Sequence, residues 1–177
     1  MCIRDRGAKG DDYRFKDKAK DAGADPWGYF YRECVSFVAS RLANLGVKPS
    51  LFSHLGNGNQ WISASVPHLS RPKPGTVAVY TGGPVSSNHV DFVTAVHGDT
   101  YDGEEYNYGG NGQYHQYAGH HISNAATFLD FGVRDSGGGG EDNSKPLKDR
   151  NSPLQTLIKR QVGGMFCLLY TSPSPRD

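Results

Sequence analysis

Residues 25–46 read DPWGYFYRECVSFVASRLANLG, and this stretch predicts the helix on which the rest of the chain is organised. An irregular aromatic segment comes first. Apolar residues then recur at Phe37, Val38, Leu42 and Leu45, which is the spacing of one face of an α-helix. A glycine directly after this stripe is the expected C-terminal cap. The pattern therefore predicts one helix with a single buried face.

A cysteine, Cys34, stands at the first turn of this predicted helix. Backbone N–H groups and the helix dipole at that end favour a negatively charged thiolate, which is the nucleophilic form of cysteine. The alternative is an inert thiol in the hydrophobic core, which is the commoner role for a cysteine on an apolar helical stripe. The two roles can be distinguished by whether the chain also supplies a base and an orienting group for the thiol.

The composition of the 177-residue chain is that of a loop-rich globular protein, with 36% apolar residues, 23 glycines and 10 tyrosines. Its length is suited to one domain. No run of residues approaches the roughly 18 apolar residues that a transmembrane helix needs. The net charge of +1 gives no electrostatic footprint for nucleic acid. We therefore expect neither a membrane nor a nucleic-acid partner.

Both ends of the chain resemble translated sequencing-adapter DNA. Residues 1–6 can be encoded by a DNA sequence that begins ATG TGT ATA AGA GAC AG. The reverse complement of this DNA, read in a shifted frame, encodes CLLYT, which is the sequence of residues 167–171. We expect residues 1–6 and 167–177 to be artefacts of sequence assembly. Cys2 and Cys167 would then not be native. Cys34 would be the single native cysteine, which excludes an internal disulfide and a cysteine-based zinc site.

The remaining sequence divides where its composition changes. Residues 7–24 are charged and short of apolar anchors, which predicts a solvated linker or a frayed helix. Residues 25–135 form the predicted folded domain. A glycine-rich linker is expected over residues 136–153. Apolar residues at helical spacing over residues 154–166 indicate the start of a truncated further element.

Strand periodicity replaces helical periodicity after the first helix. One or two helical turns are expected at residues 60–65. Residues 76–80 and 89–96 are β-branched and apolar, and glycine, proline, serine and asparagine bound them, so both are predicted strands. Further strand candidates are residues 100–108, 114–117 and 127–131. This order of elements predicts an α+β fold with the helix packed on one face of an antiparallel sheet.

Side chains on the predicted strands could complete a site for cysteine catalysis, which needs a base within reach of the thiolate and a third group that orients the base. His89 stands at the start of a strand and could take the proton of Cys34 and return it to a leaving amine. Glu105 and Asn107 are two residues apart on a strand and are expected to share a face. Either could fix the tautomer of His89; we favour Glu105, with Asn107 in support.

Four motifs, in this order, resemble the CHAP family of cysteine amidohydrolases and peptidases. They are YRECVSFVA at 31–39, PGTVAV at 74–79, HVDFV at 89–93 and EYNY at 105–108. The resemblance implies a papain-like α+β fold with N-terminal helices packed on an antiparallel sheet. It also implies cleavage of amide bonds in bacterial peptidoglycan, either between muramic acid and L-alanine or within the peptide stem and cross-bridge.

By position in these motifs, the resemblance implies that Cys34 is the nucleophile, that His89 is the general base and acid, and that Glu105 or Asn107 orients His89. The backbone N–H of Cys34 would stabilise the oxyanion of the tetrahedral intermediate. The candidate substrate-binding residues are Trp27, Tyr29, Asp91 and Tyr106.

The motifs depart from the family pattern at Asn88, where many relatives have glycine, at Asp91, where a small apolar residue is common, and at Glu33, where some relatives have glutamine. Asp91 shares a strand face with His89 and could tune the imidazole or contact substrate. Because an ionised carboxylate cannot donate a hydrogen bond, we expect no side-chain contribution from Glu33 to the oxyanion site.

We expect no metal and no other cofactor. Asp17, Asp21 and Asp25 recur every fourth residue, unlike the alternate positions of a calcium-binding loop. His120 and His121 are neighbours on a predicted strand and point to opposite faces, and the chain has no HExxH motif for zinc.

The resemblance implies a module of a longer bacterial or phage protein, such as an endolysin or a phage tail lysin, that acts on peptidoglycan at the cell wall or in the phage virion. We expect it to be a monomeric domain within that chain. A competing hypothesis is a weakly active or inactive segment of a phage tail or surface protein that binds the wall or has a structural role. Digestion of purified walls distinguishes the two hypotheses.

Overall fold

The computed structural model describes residues 10–133. The adapter-like ends, the glycine-rich linker at 136–153 and the further element at 154–166 lie outside this range. Within residues 10–133, no helix is both long enough and apolar enough to cross a membrane.

Helix α1 spans Cys34–Asn44 and confirms the predicted helix. The apolar stripe of Phe37, Val38 and Leu42 is fully buried. At the C-terminus, Gly46 has φ +79°, its N–H donates to the carbonyl of Ala43, and the next N–H donates to the carbonyl of Leu42. This is a Schellman cap, in which glycine supplies a left-handed conformation that other residues rarely adopt.

Six strands among the described residues form one antiparallel sheet in the order β1-β6-β2-β3-β4-β5. The strands are β1 (His68–Leu69), β2 (Val77–Gly82), β3 (Ser86–His97), β4 (Thr100–Tyr106), β5 (Tyr114–His121) and β6 (Thr127–Leu129). Helix α1 packs against β3 and β4. The expected α+β, papain-like arrangement of a helix on an antiparallel sheet is confirmed.

The strands differ from the predictions in several places. β2 and β3 are longer than the predicted 76–80 and 89–96, and β6 ends at Leu129 rather than at residue 131. β1 is only two residues long and has no periodicity from which to predict it. β5 continues past residue 117 to His121, because its last residues still pair with β4. β4 ends at Tyr106, since Asn107 has φ +63° and leaves the strand. The predicted helical turn at 60–65 is a 3₁₀ helix, Gly58–Ser63.

Residues 10–24, predicted to be part of a solvated linker over 7–24, contribute to the core. Tyr13 is 2% exposed, and Phe15 packs against the same cluster. The Tyr13 hydroxyl lies 2.6 Å from Oγ of Ser36 on α1 and accepts a hydrogen bond from the backbone N–H of Arg32 at 3.0 Å. The charged residues of the segment are largely exposed, as expected, but the two aromatic side chains anchor it to the domain.

A buried ion pair joins α1 to the sheet. Nη2 of Arg41 lies 2.6 Å from Oε2 of Glu104 on β4, and both side chains are essentially inaccessible to water. Tyr114 donates to the other carboxylate oxygen at 2.7 Å, and Asp12 contacts the guanidinium at 3.0 Å. These contacts fix the position of α1 over β4 two turns from Cys34.

Candidate active site

A cleft of about 930 Å³ opens beside the N-terminus of α1. Its lining includes Tyr29, Glu33, Cys34, His89, Asn107 and Tyr108. The start of α1, the start of β3 and the loop after β4 therefore meet at one place. The structure brings the predicted nucleophile and the predicted base into this cleft.

Cys34 is the first residue of α1 and is 7% exposed. The preceding residue, Glu33, has extended backbone and makes no side-chain capping bond to the helix. The first backbone N–H groups of any helix have no partner within it, and they point out of its N-terminus. The N–H of Cys34 is thus suited to stabilise negative charge that develops next to its own sulfur.

His89 lies between the cysteine and a carboxylate. Its Nε2 lies 2.6 Å from Oε2 of Glu105, and both side chains are almost fully buried. The Cys34 side chain is close enough to the ring to raise the pKa of His89. Since Glu105 occupies Nε2, Nδ1 is the ring nitrogen that remains for the sulfur. The order of groups is thiol, imidazole and carboxylate.

The environment of His89 favours its protonated form. Burial alone opposes the charge, but the hydrogen bonds to Cys34 and Glu105 outweigh burial and raise the pKa of His89 to about 10. At neutral pH the ring is therefore an imidazolium. Such a cation can form an ion pair with a thiolate, which is the reactive state of a cysteine nucleophile.

Of the two predicted partners of His89, the structure pairs Glu105 with the ring and gives Asn107 other contacts. Asn107 donates through Nδ2 to Oε2 of Glu33 at 2.7 Å and accepts from the N–H of Gly112 at 2.6 Å. The expectation that both side chains share a strand face was wrong, because β4 ends between them and Asn107 has left-handed backbone.

All four candidate substrate-binding residues are buried, and three of them do not line the cleft. Trp27 is 5% exposed, Tyr106 is 2% exposed, and Asp91 is fully buried, so none of these side chains offers a surface to a substrate. Tyr29 does line the cleft, although its hydroxyl is held by the carbonyl of Phe52. The sequence did not indicate whether the aromatic side chains near Cys34 point into the core or into the cleft. Most of them pack against one another in the core.

Asp91 belongs to a polar cluster behind the His89–Glu105 pair. Tyr80 donates to its carboxylate at 2.5 Å, and the hydroxyls of Tyr80 and Tyr101 are 2.5 Å apart. Burial raises the pKa of Asp91 to about 7, although hydrogen bonds from tyrosine hydroxyls and the charge of His89 act in the opposite direction. Asp91 thus faces the interior, on the same side of the sheet as His89.

Two exposed aromatic side chains of the cleft were not singled out from the sequence. Phe30 is 61% exposed and Tyr108 is 43% exposed, and both line the cleft. The Tyr108 ring meets the His89 ring edge to face, with 5.9 Å between their centroids. Phe30 lies in an isolated β-bridge with Ala24, and Tyr108 begins a three-residue 3₁₀ helix, so neither element is long enough for periodicity to indicate which way the side chain points. The only available signal was that Phe30 directly precedes the YRECVSFVA motif and that Tyr108 ends the EYNY motif.

Gly58 also supports the site and was missed. A side-chain carbon at this position would come within 2.8 Å of Cα of His89. The 3₁₀ helix Gly58–Ser63 therefore packs directly against the backbone of the base, which only glycine permits. The GNGN sequence at 56–59 indicated a turn, but the close approach depends on tertiary contacts.

Within residues 10–133, no group of three or more histidine, cysteine, aspartate or glutamate side chains could hold a metal ion. Asp25, one of the regularly spaced aspartates, has a different role. Its carboxylate accepts hydrogen bonds from the N–H groups of Trp27 and Tyr29 and from the hydroxyl of Ser36. These bonds fold the aromatic segment against the first turn of α1.

Residues 24–107 match the family model of the CHAP domain. A comparison with curated protein sequences found no match. Among solved structures, the chain is similar to an N-acetylmuramoyl-L-alanine amidase from Staphylococcus aureus, with 18% identity and a TM-score of 0.48 over 62% of this chain. The chain spans 33% of the length of that structure. Residues 24–107, the segment that matches the family model of the CHAP domain, contain Cys34, His89 and Glu105.

Proposed function

We propose that this domain hydrolyses amide bonds of bacterial peptidoglycan, with Cys34 as the nucleophile. The observation that carries the proposal is that Cys34 and His89 line the same open cleft and that Glu105 hydrogen-bonds the ring of His89. The match of residues 24–107 to the family model of the CHAP domain supports peptidoglycan as the substrate class.

In the first half of the proposed reaction, the Cys34 thiolate attacks the carbonyl carbon of the scissile amide. Negative charge moves to the carbonyl oxygen, next to the N–H of Cys34 at the positive end of α1. The imidazolium of His89 then gives its proton to the leaving amine. The C–N bond breaks, and a thioester between Cys34 and the acyl fragment remains.

In the second half, His89 is neutral and acts as a general base. It takes a proton from water as the water oxygen attacks the thioester carbonyl. The C–S bond breaks, the acyl fragment leaves as a carboxylic acid, and the thiolate–imidazolium pair is restored. Glu105 keeps its contact with His89 in both halves of the reaction. It holds the ring by Nε2 and stabilises the imidazolium, as a carboxylate does in other nucleophile–histidine pairs.

The wall location follows from the proposed substrate. A domain that cleaves peptidoglycan acts at the bacterial cell wall, whether its parent protein is bacterial or phage-derived. The cleft carries both aromatic side chains, such as Phe30 and Tyr108, and carboxylates, such as Glu33. This mixture suits a peptide with amide and methyl groups as well as a sugar ring. The proposed substrates are therefore the muramoyl–alanine bond and the amide bonds of the peptide stem or cross-bridge.

The proposal predicts that Cys34→Ala abolishes release of soluble fragments from purified peptidoglycan, because no other group can form the thioester. Hydrolysis is measured by release of amino groups, and mass spectrometry of the fragments distinguishes an amidase from an endopeptidase. Thermal unfolding of the variant should match that of the parent chain, since an alanine fits the space of a small buried side chain.

His115→Ala is a matched control for His89→Ala. His115 lies on β5, and its ring bonds Asn111 rather than a group of the proposed site. Its loss should leave hydrolysis unchanged, whereas loss of His89 should reduce it to the background. Full activity of Cys34→Ala would refute the proposal. A parent chain that sediments with walls but releases nothing would favour the wall-binding alternative.

A further inference from the structure

The two residues before the nucleophile are both tied to the loop that follows β4. Glu33 accepts a hydrogen bond from Nδ2 of Asn107 at 2.7 Å, and Nε of Arg32 donates to the carbonyl of Gly112 at 2.8 Å. Asn107 in turn accepts from the N–H of Gly112 at 2.6 Å. Asn107 and Gly112 are thus bonded to each other, and each also holds one of the two residues before α1.

The backbone that enters α1 needs such support. Arg32 has φ +64°, a left-handed conformation that costs energy for a residue with a long side chain. Its N–H is held by the Tyr13 hydroxyl at 3.0 Å. Glu33 is the N-cap but makes no capping bond with its side chain. Contacts from outside the helix therefore determine how the chain enters the first turn.

Both carboxylate oxygens of Glu33 are engaged. Oε2 receives the Asn107 amide, and Oε1 lies 2.9 Å from Nζ of Lys20. The side chain is 26% exposed at the cleft wall. A carboxylate held on both sides cannot swing toward the substrate, and it cannot donate to an oxyanion. The hydrogen bond from Asn107 to this side chain instead restrains the backbone of Glu33 and of the adjacent Cys34.

We propose that Asn107 is a positioning residue for the nucleophile rather than for the base. It holds Glu33 and so fixes the N–H and the sulfur of Cys34 relative to His89. This inference rests on the proposed function of Cys34. The end of β4 then serves both members of the pair, because Glu105 holds His89 and Asn107, two residues later, holds the residue before Cys34.

The test exchanges the two hydrogen-bonding groups. Asn107→Asp places two carboxylates against each other and breaks the contact, while aspartate still tolerates the left-handed backbone and still accepts from Gly112. Adding Glu33→Gln supplies an amide that donates to the new carboxylate. The double variant thus rebuilds the same contact with donor and acceptor reversed. Asn111→Asp is the matched control, because Asn111 lies in the same loop and bonds His115 and Gln113.

For Asn107→Asp we expect kcat on peptidoglycan to fall about tenfold or more, because small displacements of a reacting group are costly. KM should stay within about twofold, since no substrate contact is removed. The rate at which iodoacetamide alkylates Cys34 should fall in parallel. The double variant should recover most of the lost kcat and alkylation rate, and Asn111→Asp should match the parent in both.

The inference is overturned if Asn107→Asp alkylates at the parental rate, or if the double variant is no better than Asn107→Asp. If Asn107→Asp does not fold, as judged by thermal unfolding, Glu33→Ala breaks the same contact from the exposed side, and its kcat and alkylation rate then decide in the same way. Alkylation also separates the two proposals. A parental chain without wall hydrolysis would refute the proposed function, while the alkylation rates would still decide the role of Asn107.

Discussion

The Glu105 carboxylate contributes, after Cys34, to keeping His89 protonated in the proposed mechanism. It lies 2.6 Å from Nε2, and together with Cys34 it raises the pKa of His89 from 6.5 to about 10. A raised histidine pKa means that the folded chain binds the proton more tightly than the unfolded chain. The resulting stabilisation is complete below pH 6.5 and is lost as the pH rises toward 10.

Replacement of Glu105 by glutamine should therefore lower the pKa of His89. We expect kcat/KM to fall at least about tenfold, because the imidazolium that protonates the leaving amine is less stable. The alkaline limb of the pH–rate profile, set by loss of this proton near pH 10 in the parent, should move to lower pH. The profile is measured with soluble peptidoglycan fragments.

A second histidine–carboxylate pair provides the control for this experiment. Nε2 of His97 lies 2.9 Å from Oδ2 of Asp102, and the histidine is exposed. Asp102→Asn should leave both the rate and the profile unchanged. An unchanged alkaline limb in Glu105→Gln would show that Glu105 does not act on the ring.

The first helix is joined to the sheet by apolar packing and by the buried pair of Arg41 and Glu104. Charges with almost no access to water must be compensated inside the protein, and here one guanidinium contacts the Glu104 carboxylate at 2.6 Å while Tyr114 donates to its second oxygen. The pair lies on the same helix as Cys34. The Arg41–Glu104 pair therefore helps to hold α1, and with it Cys34, in a fixed position relative to the sheet.

Replacement of Glu104 by glutamine should destabilise the domain by about 1.5–3 kcal/mol, because the charged 2.6 Å contact with the buried Arg41 guanidinium is lost while the contact of Arg41 with Asp12 remains. The free energy of unfolding is measured by urea titration. The exposed pair of Arg71 and Asp99, with N–O distance 3.0 Å, offers the control. Asp99→Asn should cause no measurable change, since water already solvates both groups. Equal effects of the two substitutions would contradict a buried, structural pair.

The domain as a whole extends beyond the segment that the family model matches. Residues 10–23 precede that segment, yet Tyr13 packs within 4.8 Å of the Tyr106 ring and hydrogen-bonds Ser36 on α1. The N-terminal segment thus reaches from the helix to the end of β4. It is part of the support for the first turn of α1, because the same hydroxyl accepts the N–H of Arg32.

Replacement of Tyr13 by alanine should lower the free energy of unfolding by about 3–5 kcal/mol, as for other large buried aromatic side chains. Urea unfolding checks this value. Phe30→Ala is the control for loss of an aromatic ring, because Phe30 is 61% exposed, and its stability should match that of the parent. A Tyr13→Ala variant as stable as the parent would mean that residues 10–24 act as a linker after all.

The sequence by itself determined the first helix, the main strands and the α+β class, and it singled out Cys34 and His89, which the fold brings to one cleft. Helical and strand periodicities depend on local backbone geometry, so Phe37, Val38 and Leu42 indicate a buried helix face wherever that helix lies. Cys34 and His89 were identifiable because their residue types stand at element ends within family-like motifs. Periodicity and position at the end of an element depend only on neighbouring residues, so they can be read from the sequence without knowledge of the tertiary contacts.

Only the tertiary structure decided which side chains meet. Glu105 rather than Asn107 contacts His89, because the strand ends between them, and a boundary of one residue is beyond what periodicity can resolve. Trp27, Asp91 and Tyr106 turned inward, and Tyr13 anchored a charged segment, because burial depends on surfaces contributed by distant parts of the chain. Periodicity states which residues share a face, whereas packing determines what covers that face and what remains open to a substrate.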